Sequence, residues 1–184
     1  MDARRLARSG SRGRWPAPHH LGPGSAVEAQ CETDDMTRAT EAADSKGLAY
    51  EVTKHGRVNS LEEAAAARGI EPAKLIKTIV VRLSDDDYRF VLVPGDREIA
   101  WPKLRALLGI NRISMPSADT ALEVTGYVRG TITPLGSTNA WPVIADDRIT
   151  GTISIGGGEH GVGMTVNAED LLKALDATVA DVTD

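Results

Sequence analysis

The sequence predicts an α+β fold. It reads as a single compact mixed α/β domain whose curved, mixed and largely antiparallel sheet is flanked by helices, behind a disordered N-terminal tail. Three observations predict it. Strand patterns come in pairs with helical patterns inserted between them, and no strict strand–helix–strand repeat runs through the chain. Hydrophobic residues make up 41% of the 184 and aromatic residues only 4%, so a core is available and it is aliphatic. The first 35 residues show no hydrophobic periodicity, and such a segment cannot bury enough surface to offset its ordering entropy.

Residues 1–35 scatter Arg4, Arg5, Arg8, Arg12 and Arg14 among Gly, Ser and Pro, and Asp2, Glu28, Glu32, Asp34 and Asp35 balance them. Residues 36–184 are the predicted domain, and the net charge of −5 belongs to them. That balance gives no global argument for nucleic-acid binding, which would need a local basic patch. The lone Cys31 excludes an internal disulfide and a cysteine-based metal site. No apolar run reaches the ~20 residues of a membrane span. The start has arginines but no apolar core of a signal peptide, so a cytoplasmic location is the default.

The elements follow in order. Thr37–Lys46 is a helix ended by Gly47, and Leu48–Thr53 alternates as a strand. Ser60-Leu61-Glu62-Glu63 is a capping box that opens an alanine-rich helix closed by Gly69. Glu71–Lys74 is a short helix with Pro72 at its favoured first position. The β-branched run Thr78–Leu83 is a strand, Asp85–Asp87 a polar hairpin tip, and Tyr88–Pro94 the return strand. Ala100-Trp101-Pro102 begins a helix that ends at Gly109. Ser117 or Asp119 caps the next, to about Val124. Trp141–Ala145, Thr150–Ile155 and Gly163–Val166 are short strands. Asn167 or Glu169 opens a last helix over Asp170–Leu175, and Ala177–Val182 trails off.

Between the fifth of these helices and the strands from Trp141 onward lies the stretch Thr125–Gly136, with three glycines and a proline. Glycine admits conformations other residues resist, and Pro134 fixes its own φ and extends Thr133. Such a loop is shaped and stiff. Its backbone N–H groups can meet an anion or a developing oxyanion, although turn clusters of this kind are also ordinary punctuation. Lys77, at the start of an apolar strand, either snorkels out or serves a site. His160 follows the second glycine cluster, Gly156-Gly157-Gly158, and either contacts a ligand or lies exposed in a turn. The four histidines have no metal spacing. There is no Gly-x-Ser-x-Gly elbow and no Walker or dinucleotide glycine motif. A serine-triad hydrolase is therefore poorly supported.

Taken together, Leu75-Ile76-Lys77-Thr78-Ile79-Val80-Val81, Phe90–Arg97, Thr125-Gly126-Tyr127 with Gly130-x-x-x-Pro134-x-Gly136, Gly157-Gly158 and Asp170–Lys173 resemble the YbaK/EbsC family. These are prolyl-tRNA-editing domains, also found within or beside prolyl-tRNA synthetases. The resemblance spans Ala49 to Asp176. It implies a compact mixed α/β fold with a curved sheet around one pocket, and hydrolysis of misacylated tRNA of the Cys- or Ala-tRNA(Pro) type. Lys77 matches the family's site lysine, which helps hold the aminoacyl-adenosine end. The segment from Gly130 through Pro134 to Gly136, with Gly126, Thr131 and Thr133, matches the loop that cradles the ester and terminal adenosine. Gly157, Gly158 and His160 fall on the second glycine segment, and Asp146 near an acidic position of relatives. The substrate's ribose 2′-hydroxyl is expected to assist water, so no side-chain nucleophile, cofactor or metal is expected. The implied partners are misacylated tRNA and a prolyl-tRNA synthetase. One departure is Glu159-His160, which stands where relatives often carry basic residues. It keeps a second expectation open: a non-catalytic binding module that uses the same pocket.

Overall fold

In the computed structural model, which describes residues 36–184, β-branched and aliphatic runs assemble into two sheets. Strands β1 (Tyr50–Lys54), β5 (Thr152–Gly156) and β6 (Val162–Asn167) form the first, in the order β1-β6-β5 and entirely antiparallel. Strands β2 (Ile76–Ser84), β3 (Asp87–Pro94), β4 (Val143–Asp146) and β7 (Thr178–Ala180) form the second, in chain order across the sheet. There β2 and β3 are an antiparallel hairpin, while β3–β4 and β4–β7 pair in parallel. The single curved sheet expected from sequence is thus two sheets, joined where Leu75 bridges Ser154 in parallel. Parallel pairing requires crossovers, and the helices supply them. Helices α3 (Trp101–Leu108) and α4 (Ala118–Thr125) connect β3 to β4, and α5 (Ala168–Ala174) precedes β7. Helices α1 (Arg38–Ser45) and α2 (Leu61–Ala67) flank β1.

The unbroken apolar run of β3 has a direct cause. Successive side chains of a strand point to opposite faces. Phe90 and Leu92 enter one core with Ile153, Ile155, Met164 and Leu171, while Val91 and Val93 enter another with Val81, Leu104, Ile144 and Val182. A strand covered on both faces reads as continuous rather than alternating. A third, smaller cluster joins Ala64, Ala65 and Leu75 to Val58, Leu61 and Ile70. It fixes α2 against the start of β2.

Local chemistry sets the boundaries. Thr37 and Thr40 form a reciprocal capping box for α1. Ser60 accepts from the Glu63 amide at 3.1 Å, but the Glu63 carboxylate reaches one residue further back, to the Asn59 N–H at 2.8 Å. The expected short helix at 71–74 is a 3-10 turn, Pro72–Lys74. Trp141 lies outside β4, since Pro142 intervenes. It tilts against Tyr88 with ring centroids 5.1 Å apart and donates its indole N–H to the Val124 carbonyl at 2.8 Å. The segment expected to trail off holds β7, paired with Ile144–Asp146. Three exposed or half-exposed residues leave no alternation to read there. The expected tail, residues 1–35, lies outside the described residues. No helix among the described residues is long and apolar enough to cross a membrane.

Candidate active site

A cavity of about 850 Å³ opens between the two sheets' shared corner and the glycine-rich segments. Its walls come from five places. Helix α2 gives Ala64, and Arg68 follows as its C-cap; β2 gives Ile76 through Val80. Helix α4 gives Ala118 and Ala121, the first glycine loop Arg129, Gly130 and Ile132, and the β5–β6 turn Glu159, His160 and Gly161. Exposure is uneven. Met115, Arg129, Glu159 and His160 are exposed, whereas Ala64 and Leu75 are buried.

Lys77 lines this cavity half-buried, and its Nζ donates to the Arg97 carbonyl. No carboxylate pairs with it among the described residues. Its neighbour Thr78 also lines the cavity, and its hydroxyl is buried without a hydrogen-bond partner among the described residues. An orphaned hydroxyl costs of order 1–3 kcal/mol, so its retention needs a reason.

The first glycine loop is clamped from inside. Gly126 closes α4 at φ 75°, its N–H bonded to the Leu122 carbonyl at 2.7 Å. The Tyr127 hydroxyl reaches across the loop to the Leu135 carbonyl at 2.8 Å. Arg38 stacks over the Tyr127 ring, 4.5 Å from its centroid. Burial raises the pKa of the Tyr127 phenol, and Arg38 only partly opposes that. At Gly136, φ is 71° and an added Cβ would collide with the Arg38 carbonyl and the Tyr127 hydroxyl. Thr131 turns back on Val128 through its N–H at 3.0 Å and its hydroxyl at 2.9 Å. Between these anchors, the amides of Gly130 and Ile132 donate to no described residue.

The structure separates the sequence-predicted residues into three groups. Lys77, Gly130 and His160 line the main cavity. Gly126, Thr131 and Gly158 line a smaller depression of about 340 Å³, which shares Glu159 and His160 with the main one. Thr133, Pro134, Gly136, Gly157 and Asp146 line neither. Thr133 and Pro134 are buried beneath the loop. Gly157 donates to the Val162 carbonyl at 2.9 Å and packs against the Val162 side chain.

Asp146 is fully buried at the end of β4, in a network of its own. It accepts from the Val182 N–H at 3.1 Å, the Thr183 hydroxyl at 2.9 Å, and both the Arg148 N–H and guanidinium at 3.1 and 3.3 Å. Burial alone would raise its pKa. The Val182 and Arg148 amides, the Thr183 hydroxyl and the Arg148 guanidinium outweigh it and hold the carboxyl below its ordinary value. Asp146, Asp147 and Asp181 bring carboxylate oxygens within 4.8 Å of one another. The cation they gather around is Arg148, which contacts all three.

Two cavity residues escaped the sequence reading. Arg68, the C-cap of α2, turns inward. Its Nη1 donates to the Ser154 hydroxyl at 3.2 Å and the Ile155 carbonyl at 3.3 Å. Its Nε lies 3.3 Å from Nε2 of His55. Arginine only donates, so that His55 nitrogen accepts. Nδ1 then carries a proton toward the Gly56 carbonyl, 2.8 Å away. Burial lowers the Arg68 pKa from its ordinary high value. The available signal was Gly163: a strand glycine marks close approach, and a Cβ there would sit 2.6 Å from Arg68 Nε.

Comparison with known proteins bears on this arrangement. The model of the aminoacyl-tRNA editing domain family matches residues 55–174, which include every part of the cavity wall. A proline–tRNA ligase of Thermosipho melanesiensis is 35% identical over 92 residues, half of this chain and 16% of the ligase. The chain spans under a quarter of the length of the proline–tRNA ligases it matches. A candidate Cys-tRNA(Pro)/Cys-tRNA(Cys) deacylase of Enterococcus faecalis, EbsC, is 25% identical over 126 residues, 67% of this chain and 77% of that protein. A crystal structure described as a candidate trans-editing enzyme for prolyl-tRNA synthetase shares the fold. It superposes with a TM-score of 0.73 at 22% identity, over 80% of this chain and 95% of the other.

Proposed function

The chain belongs to the aminoacyl-tRNA editing domain family, and from that premise we propose that its cavity hydrolyses the ester linking a wrongly attached amino acid to the 3′ end of a tRNA. The observation that carries this reading is the placement of Lys77 in one cavity with Gly130 and Ile132, residues whose amides donate to no described residue. Ester hydrolysis needs a held substrate, an attacking water and donors for the oxygen that gains charge. Lys77 serves the first need and binds the aminoacyl-adenosine end. The two loop amides serve the third. The stiff clamp around Tyr127 holds them in place before substrate arrives, which is what oxyanion stabilisation requires.

No serine, cysteine or aspartate lines the cavity among the described residues, and Thr78 is its only hydroxyl-bearing side chain. The reaction therefore runs as direct attack of water on the acyl carbon, with the ribose oxygen as leaving group and the substrate's own neighbouring hydroxyl assisting the water. The resemblance extends the reading to tRNA(Pro) carrying cysteine or alanine, and to recruitment through a prolyl-tRNA synthetase. The exposed Glu159 at the rim favours a second reading, in which the domain binds aminoacyl ends without turnover.

The test is a deacylation assay with tRNA(Pro) charged separately with alanine, cysteine, serine and proline. Release of a non-cognate amino acid with prolyl-tRNA(Pro) spared supports the deacylase. Binding of the 3′ end with no release of any amino acid supports the binding module.

A further inference from the structure

Resting on the deacylase reading, we infer that Arg68 selects the amino acid: the buried end of the cavity takes an aminoacyl group whose side chain carries an oxygen acceptor, and takes it in preference to alanine or cysteine. Arg68 is an inward-facing cation whose three described bonds all go to neutral acceptors, namely Ser154 Oγ, the Ile155 carbonyl and His55 Nε2. No carboxylate pairs with it among the described residues. Its Nη2 makes no hydrogen bond to a described residue, yet it is not among the sealed, unpartnered polar atoms. Arg68 lines the cavity, so the Nη2 donors remain available to a ligand.

The position within the cavity decides which part of the ligand arrives there. Around Arg68 the wall is Val58, Ala64 and Leu75, half-buried or buried, backed by the fully buried Ser154. Elsewhere on the wall, Met115 and Arg129 are exposed to solvent. A terminal nucleotide carries the rest of the tRNA behind it and must leave through the open side. The enclosed end is left for the amino-acid side chain. An apolar wall with the two remaining N–H groups of Arg68 Nη2 suits a short side chain ending in a hydroxyl or carboxylate, since they only donate. Alanine would leave those donors unmet, and a thiol is a weak acceptor. A site built to bond a substrate oxygen discriminates strongly against the analogue that lacks it.

The test compares kcat/KM for one tRNA charged with serine, threonine, aspartate, alanine or cysteine, using the full chain, Arg68→Leu, and Arg68→Lys as a variant that keeps a donor. In the unaltered protein an oxygen-bearing residue leads alanine by about 10- to 100-fold, the worth of one hydrogen bond to a charged group. The ratio collapses in Arg68→Leu and partly recovers in Arg68→Lys. The serine and aspartate arms separate a hydroxyl from a carboxylate. Equal loss on all five substrates in a folded Arg68→Leu protein, or a ratio near one in the unaltered protein, overturns the proposal. Calorimetric binding of 3′-seryl- and 3′-alanyl-amino-3′-deoxyadenosine, which cannot be hydrolysed, separates the two claims. Binding preference without turnover of any ester sinks the deacylase and keeps Arg68 as the selector. Turnover without preference does the reverse.

Discussion

Two clusters of charge in this molecule are built by opposite rules. At the C-terminal end of β4, every charge meets a countercharge. Arg148 contacts Asp146, Asp147 and Asp181, and Lys103 joins Asp181 at 3.1 Å. In the cavity, Lys77 and Arg68 bond only to carbonyls, a hydroxyl and an imidazole. The first cluster is complete without a ligand. Its work is to tie residues 181–184 to β4, which Thr183 and Val182 do through Asp146. The second keeps positive charge without negative partners, an arrangement that costs stability unless something else uses it. A cation left unmatched in a cavity is better evidence of a binding role than a network in which all charges are spent.

The largest expected effect comes from breaking the complete cluster. Asp146→Ala strands the Val182 amide and Thr183 hydroxyl and unpairs Arg148. It should cost about 1–3 kcal/mol for each buried hydrogen-bonding group left unmet, read from urea unfolding, while kcat per folded molecule stays within about twofold. Gly136→Ala comes next. A left-handed residue costs roughly 1–2 kcal/mol, and here the new methyl also meets the Arg38 carbonyl. Stability and deacylation should fall together, because the loop amides move with the clamp. Acid sharpens the contrast further. The Asp146 carboxyl titrates below its ordinary value when folded, so its contribution is present above the unfolded carboxylate pKa. That contribution is lost as pH falls through the depressed value, so the unaltered protein should show a stability loss in strong acid that Asp146→Ala lacks. The smallest effect is at Thr78. Replacing an orphaned hydroxyl with a methyl in Thr78→Val should raise stability by about 1 kcal/mol. If the hydroxyl is kept for substrate, deacylation falls in the same variant. If activity is unchanged, Thr78 belongs to the core and not to the site.

These clusters also show what a sequence displays and what it hides. Helix ends were legible because caps act locally. Ser60, Ser117 and Asn167 each bond an amide three residues on, and Gly109 and Gly126 end their helices with positive φ. The hairpin β2–β3 was legible from β-branched runs on either side of three aspartates. Strand β7 was not, because its partner β4 lies more than thirty residues away and its own residues face solvent. The same limit hid Arg68. Nothing within helix range distinguishes an inward arginine from an exposed one, and its partners Ser154 and Ile155 are 86 and 87 residues distant. Asp146 shows the converse. The resemblance places it near an acidic position of relatives, and only the fold reveals that Val182, Thr183 and Arg148 already fill its lone pairs.

The role of Lys77 is tested by Lys77→Ala, assayed on whichever misacylated tRNA the unaltered protein hydrolyses best, with thermal unfolding measured on the same sample. Lys77 has no ion pair to lose among the described residues, and its known bond is to a single carbonyl. The variant should melt within a few degrees of the unaltered protein and lose kcat/KM by about 100-fold or more, roughly 2.7 kcal/mol of transition-state binding. A variant that keeps its activity, or that loses activity only because it has unfolded, would contradict the claim that the cavity's unmatched charge is there for substrate.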